Sequence, residues 1–194
     1  QEVETIKKFA ASALRSATEQ LGISSAHVTF APEPEARILE GQGFLLRNDQ
    51  QFHFRNENYS SYDDFLATLA SRKRKDLKKE RQNALLNGIS VSWLTGADLT
   101  EQSLDDFFAF YMDTGSRKWG SPYLNRKFFS LIGERMPGDI LLVMAKRNGR
   151  NIAGAINFIG SDRLFGRNWG CFEDHPFLHF ELCYHQAIDF AIGR

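Results

Sequence analysis

The stretch ILLVMAKRNGRNIAGAINFIGSDRLFGRNWGC, Ile140 to Cys171, decides the fold. Residues 140–146 and 151–159 are apolar runs of strand length around Arg147-Asn148-Gly149-Arg150. The Asn-Gly pair there supplies the positive backbone angles of a tight hairpin turn. A third run, 164–170, follows the short turn at Gly160-Ser161-Asp162. The pattern predicts three consecutive antiparallel strands, a meander.

Working outward, helical periods flank this sheet. After Pro176, Phe180, Tyr184, Ala187 and Ala191 fall on one stripe of a helix. Before the sheet, Leu104, Phe107, Phe108, Tyr111 and Met112 mark one helix, and Phe128, Phe129, Ile132 and Met136 a second, with residues 115–125 expected as a loop between them. A strand is expected over 89–94, after a charged helix that stops at Asn87-Gly88. Ser61-x-x-Asp64 predicts the start of a shorter helix by a capping box. Further back, residues 3–21 and 32–42 read as helices, and 27–30 and 44–55 as strands. The whole is a mixed α/β chain whose period turns strand-like for three successive runs from Asp139.

The 194 residues carry 24 basic and 24 acidic side chains, which excludes a uniformly basic nucleic-acid binder. The neutrality is uneven. Residues 72–81 hold seven basic and two acidic side chains, while the 70 residues at the start hold six and ten. No run of about 18 apolar residues is present to span a bilayer, and QEVETIKKF lacks the apolar core of a signal peptide. Two cysteines, Cys171 and Cys183, do not make a disulfide framework and suit a reducing compartment, so a cytoplasmic protein is expected. Phosphate-binding loops, dinucleotide fingerprints and nucleophile elbows are absent from the sequence.

Four groups of residues bear on chemistry. In a helical charged run, Arg74, Lys78 and Arg81 form one cationic stripe, with Lys73 beside it near the helix start, suited to phosphates; the plainer alternative is a solvated helix face. Arg117, Trp119, Tyr123 and Arg126 join guanidiniums to aromatics on the expected loop, a combination that suits planar or phosphorylated ligands or a simple structural plug. Strict alternation puts Phe165, Arg167 and Trp169 on one strand face, where Arg167 needs Glu181 or Glu173 as a partner if it is buried. Cys171, His175, His179 and Cys183 stand four apart, but Pro176 interrupts any single helix through them and the cysteine spacing is wrong for structural zinc, so no metal is expected. His179 and Glu181 make a candidate acid–base pair.

Taken together, Phe52-His53-Phe54-Arg55-Asn56, Asp64-Phe65-Leu66-Ala67, Arg72-Lys73-Arg74-Lys75, Pro122-Tyr123-Leu124, Gly166-Arg167-Asn168-Trp169-Gly170-Cys171 and Leu178-His179-Phe180-Glu181 resemble the FemAB-like predicted N-acyltransferases, a group linked to peptidoglycan biosynthesis or recognition. The resemblance runs from about Val3 to the end. It implies a GNAT-like acyl-CoA N-acyltransferase fold, a mixed sheet with an antiparallel meander flanked by helices. On that footing residues 1–58 are the C-terminal half of a first lobe and 59–194 a second lobe that lacks its last strand or strands.

The implied activity is transfer of an acyl or aminoacyl group to a substrate amine, as in modification of a peptidoglycan precursor. The competing reading is a non-catalytic recognition module for a cell-wall precursor or an RNA. Implied co-substrates are acyl-CoA or aminoacyl-tRNA, with no cofactor bound permanently. Implied partners are a small-molecule or muropeptide amine and tRNA. The expected roles are proton transfer for His179 and Glu181, substrate binding for Arg117, Tyr123, Arg126, Arg167, Trp169 and Tyr184, and anion binding for Lys73, Arg74, Lys78 and Arg81.

Overall fold

In the computed structural model the described residues are 2–119 and 122–194, without the side chains of Lys118 and Trp119. The chain divides into two compact units, Gln1–His53 and Phe54–Arg194. In the first unit, α1 (Glu2–Gln20) and α2 (Glu33–Gly41) are joined by an ion pair between Lys7 and Glu35 at 2.8 Å and by Arg15 donating to the Gln42 carbonyl at 3.2 Å. Pro32 stands just before α2, where its fixed backbone angle suits a helix start. The strands expected over 27–30 and 44–55 do not form. A strand is stable only with a neighbour to take its backbone hydrogen bonds, and these segments have none among the described residues.

The second unit contains the sheet. Its elements run α3 (Tyr62–Ala67), α4 (Ser71–Ala84), β1 (Ile89–Leu94), α5 (Glu101–Trp119), α6 (Arg126–Arg135), β2 (Ile140–Arg147), β3 (Arg150–Ile159) and β4 (Leu164–Cys171). A final helical run follows: α7 (Leu178–Phe180), a π-helical turn (Glu181–His185) and α8 (Gln186–Ile192). The strands are all antiparallel, in the order β1-β2-β3-β4. Asn148 and Gly149 take φ of 50° and 76°, the left-handed pair that the β2–β3 turn requires. Ser61 caps α3 by accepting from the Asp64 amide at 3.1 Å, and the Asp64 carboxylate accepts the Ser60 amide at 3.1 Å. This is the architecture expected of a GNAT-like fold, mixed α+β with a meander between helices.

Both faces of the sheet are buried, which is why β2 reads as an uninterrupted apolar run. Ile140, Leu142, Met144 and Ile156 pack with Leu104, Phe107, Phe110 and Phe129 of α5 and α6. On the opposite face Leu141, Val143, Ala153 and Ala155 pack with Leu178 and Leu182 of the final helical run. Gly170 lets α5 approach β4: a Cβ there would stand 2.3 Å from the Phe110 carbonyl oxygen. Among the described residues no helix is long and apolar enough to cross a membrane.

Candidate functional site

Five of the side chains singled out by sequence, Tyr123, Arg167, Trp169, His179 and Tyr184, lie about the outer edge of β4. β4 is a terminal strand of the sheet, and no described strand pairs with its far side. The edge therefore offers backbone donors and acceptors to an extended ligand. Its Cys171 end is closed by α5: the Cys171 amide donates to Thr114 Oγ1 at 3.2 Å, and Arg117 Nη2 donates to the Cys171 carbonyl at 3.0 Å. Arg117 is also paired with Asp113 at 2.7 Å. The helix α5 runs on through Gly115, so Arg117 lies on it and not on the expected loop. Its contacts with the Cys171 carbonyl and Asp113 anchor the strand to the helix. Trp119 lies outside the described side chains.

A bulge interrupts β4. Ile156 pairs with Asn168 and Asn157 with Gly166, which leaves Arg167 as the extra residue. One inserted residue reverses the alternation beyond it and re-aims a side chain. Arg167 and Asn168 consequently face α6, while Trp169, level with Ala155, faces the other side. The expectation of Phe165, Arg167 and Trp169 on one face fails for this reason. Nor does Arg167 meet Glu181 or Glu173. Its Nη2 donates to the Tyr123 hydroxyl, and among the described residues no carboxylate lies within ion-pair distance of it.

Arg167 and Tyr123 stand at a cleft of about 210 Å³ whose walls are Leu124, Phe128, Phe129, Ile156, Phe158 and Asn168. An apolar pocket with a few convergent polar groups is the usual form of a small-ligand site. Tyr123 is 71% exposed, so the polar rim is open to solvent. Arg126, also expected to bind substrate, instead ties α6 to α5, donating to Asp105 at 2.5 Å, Glu101 at 2.6 Å and Ser130 at 2.9 Å.

On the other face of β4, Trp169 meets the His179 ring edge-on with centroids 5.1 Å apart. Phe180 and Tyr184 stack beside His179 at 5.8 Å, both about half exposed. Trp169, His179 and Tyr184 are thus together, across the strand from Arg167 and Tyr123. Cys171, His175, His179 and Cys183 do not converge: among the described residues no group of three His, Cys, Asp or Glu could hold a metal ion. Burial pushes the Cys183 thiol up to about 12, which disfavours the thiolate that a metal would need.

Glu181 lies elsewhere, in a buried polar network that sequence reasoning missed. Its side chain is fully buried and accepts from Arg81 Nε at 3.2 and 3.1 Å, from Arg81 Nη2 at 2.9 Å and from Gln186 Nε2 at 2.7 Å. Gln186 accepts from the Trp93 indole at 2.7 Å. Arg81 also lies 4.3 Å over the Tyr62 ring and 3.6 Å from Asp189. Burial works to lower the Arg81 pKa, yet its hydrogen bonds to Glu181 hold it above the ordinary value. Behind this pair the Tyr62 hydroxyl and His185 Nδ1 are 2.6 Å apart. Burial raises the Tyr62 phenol to about 12 and lowers the His185 imidazole. The π-helical turn carries both Glu181 and His185 into this interior.

The cationic stripe on α4 is consumed by the same packing. Arg81 meets Glu181, Lys78 pairs with Asp63 at 2.8 Å, and Arg74 Nη1 donates to the Ala67 carbonyl at 3.2 Å. Arg81 and Arg74 are tied into the fold, whereas the Lys78–Asp63 pair lies at the solvent-exposed surface. Lys73 remains exposed.

The family model described as FemAB-like, peptidoglycan biosynthesis/recognition, matches residues 1–194, the whole chain. No curated protein matches. The chain therefore belongs to the FemAB-like family.

Proposed function

We propose that this member of the FemAB-like family is an N-acyltransferase that acylates an amine of a peptidoglycan precursor along the open edge of β4. The observation that carries this reading is the bulge at Arg167. It leaves a guanidinium with no acidic partner among the described residues and a tyrosine hydroxyl on one side of a strand edge that no described strand pairs, and an aromatic group containing His179 on the other. The edge can hold an extended acyl donor or stem peptide by backbone hydrogen bonds. Arg167 and Tyr123 then grip a carboxylate or phosphate on it, and the cleft takes the apolar portion.

In the reaction the amine nitrogen bonds to the acyl carbonyl carbon. The carbonyl becomes an oxyanion, and the bond to the donor's leaving group breaks: a thioester C–S bond for acyl-CoA, an ester C–O bond for aminoacyl-tRNA. His179, exposed at the edge, takes the amine proton and passes it to the leaving group. Glu181 is not assigned this step, because its carboxylate is engaged by Arg81 and Gln186. The rest of the rate enhancement is orientation of amine and carbonyl on the strand.

Mixing the protein with a nucleotide-linked muropeptide and either acyl-CoA or aminoacyl-tRNA, and following the muropeptide by mass spectrometry, tests the proposal. Acylated product, lost in His179→Ala, is expected. Muropeptide binding with no product from either donor assigns the chain to recognition instead.

A further inference from the structure

The basic run on α4 has a second face. At about 100° per residue, Arg74, Leu77, Arg81 and Ala84 point inward, while Arg72, Lys75 and Lys79 lie within about 60° of one another on the opposite side. All three are exposed, as is Lys73 on the flank. The inward cations Arg81 and Arg74 have internal partners, and Lys78 pairs with Asp63 at the surface. None of the outward three forms an ion pair with a described residue, and Asp76 is the acid closest to their face. The excess positive charge that a neutral chain concentrates in residues 72–81 is therefore directed outward.

We propose that this outward face of α4 docks the protein on an anionic phospholipid bilayer. Charge complementarity is the first reason: each Lys or Arg brought to an anionic lipid surface contributes about 1 kcal/mol, and three lie on one face here with Lys73 on the flank. Arg72 to Lys79 spans only about 10 Å of helix, so the cations meet a flat surface together. The second reason is what accompanies them. Leu85 and Leu86, just past the C-terminal end of the helix, stand exposed, 38% and 56%, and supply apolar surface of the kind that enters the boundary beneath lipid headgroups. Residues 71–88 contain no Phe, Tyr or Trp, the side chains on which single-stranded RNA stacks its bases. The face suits a lipid surface better than single-stranded RNA.

Sedimentation with vesicles tests this. The protein should pellet with vesicles of equal parts phosphatidylcholine and phosphatidylglycerol and not with phosphatidylcholine alone, and salt should weaken the binding. Each cation removed should cost about fivefold in partition, so Arg72→Gln/Lys75→Gln/Lys79→Gln should bind about 100-fold more weakly. Lys75→Arg/Lys79→Arg should bind as the parent does, as should the control Lys127→Gln/Arg150→Gln, which removes exposed cations elsewhere. No binding to the anionic vesicles at low salt, or equal binding by the triple variant, overturns the proposal. So does retention of a duplex RNA through these three residues by a protein that ignores the vesicles.

Discussion

Replacing Arg81 by methionine isolates the buried network from everything around it. The guanidinium makes three contacts of 2.9–3.2 Å to the Glu181 carboxylate, whose side chain is fully buried. Without Arg81 that carboxylate keeps, among the described residues, the Gln186 amide alone. Breaking a buried pair from one side leaves an uncompensated charge and typically costs about 3–5 kcal/mol. The sheet-bearing unit, Phe54–Arg194, has about 140 residues. At roughly 2.1 cal/mol/K per residue its unfolding entropy is about 0.3 kcal/mol/K, so the melting temperature should fall by about 10–17 °C. Circular dichroism during thermal and urea unfolding reads this directly. The companion variant Arg81→Met/Glu181→Leu removes both charges and should recover most of the loss, since a well-packed apolar pair often equals a buried ion pair. A fall of under about 3 °C in the single variant, or a double variant as unstable as the single one, would refute the reasoning.

Three further outcomes follow from the same geometry. Gly170→Ala must move α5 away from β4, because the new Cβ meets the Phe110 backbone at 2.3–2.5 Å; we expect about 1–3 kcal/mol of destabilisation in urea unfolding. The Tyr62–His185 contact makes stability pH-dependent at both ends. Burial lowers His185 below its ordinary 6.5, so its contribution is present above about pH 6.5 and is lost as pH falls further; burial raises Tyr62 from 10 to about 12, so its contribution is present below pH 10 and is lost towards pH 12. Tyr62→Phe should abolish one late phenol ionisation in an ultraviolet alkaline titration, and melting of His185→Gln should vary less between pH 7 and 5 than that of the parent. Arg167→Ala should weaken muropeptide or donor binding by about 10–100-fold in calorimetry with the melting temperature unchanged, because Arg167 is exposed and its loss removes one charged hydrogen bond to ligand.

The meander, the hairpin turn and the flanking helices were legible because each rests on a local signal: Asn148-Gly149, the Ser61 cap, the periods around Phe107 and Phe129. What was not legible depends on distant residues. The inner stripe of α4 looked unpaired because a helix is searched for partners three or four positions away, whereas Arg81 finds Glu181 a hundred residues on. Strict alternation misplaced Arg167 relative to Trp169, since a single-residue bulge is invisible in a period-two count. Arg117 was expected on a loop because Gly115 suggests a helix end; the helix continues, and Gly115 serves instead to admit Pro122, whose Cγ a Cβ would approach to 2.5 Å. The expected strands of the first unit show the reverse: Phe44 to Phe54 has strand composition, but composition cannot provide a partner strand. At the site, residue types pointed to Arg167, Tyr123, Trp169 and His179, while their arrangement on two sides of one strand edge required the register of β3 and β4.

Occupation of the β4 edge is the central claim, and backbone amide shifts tested by NMR on titration with the muropeptide, and separately with each acyl donor, report it most directly. The account predicts that at least one of these ligands perturbs residues 164–170, with Tyr123 and His179 moving alongside, and that in Arg167→Ala both responses require about 10–100-fold more ligand. Shifts confined to other surfaces, with the β4 amides silent at saturation, would contradict it.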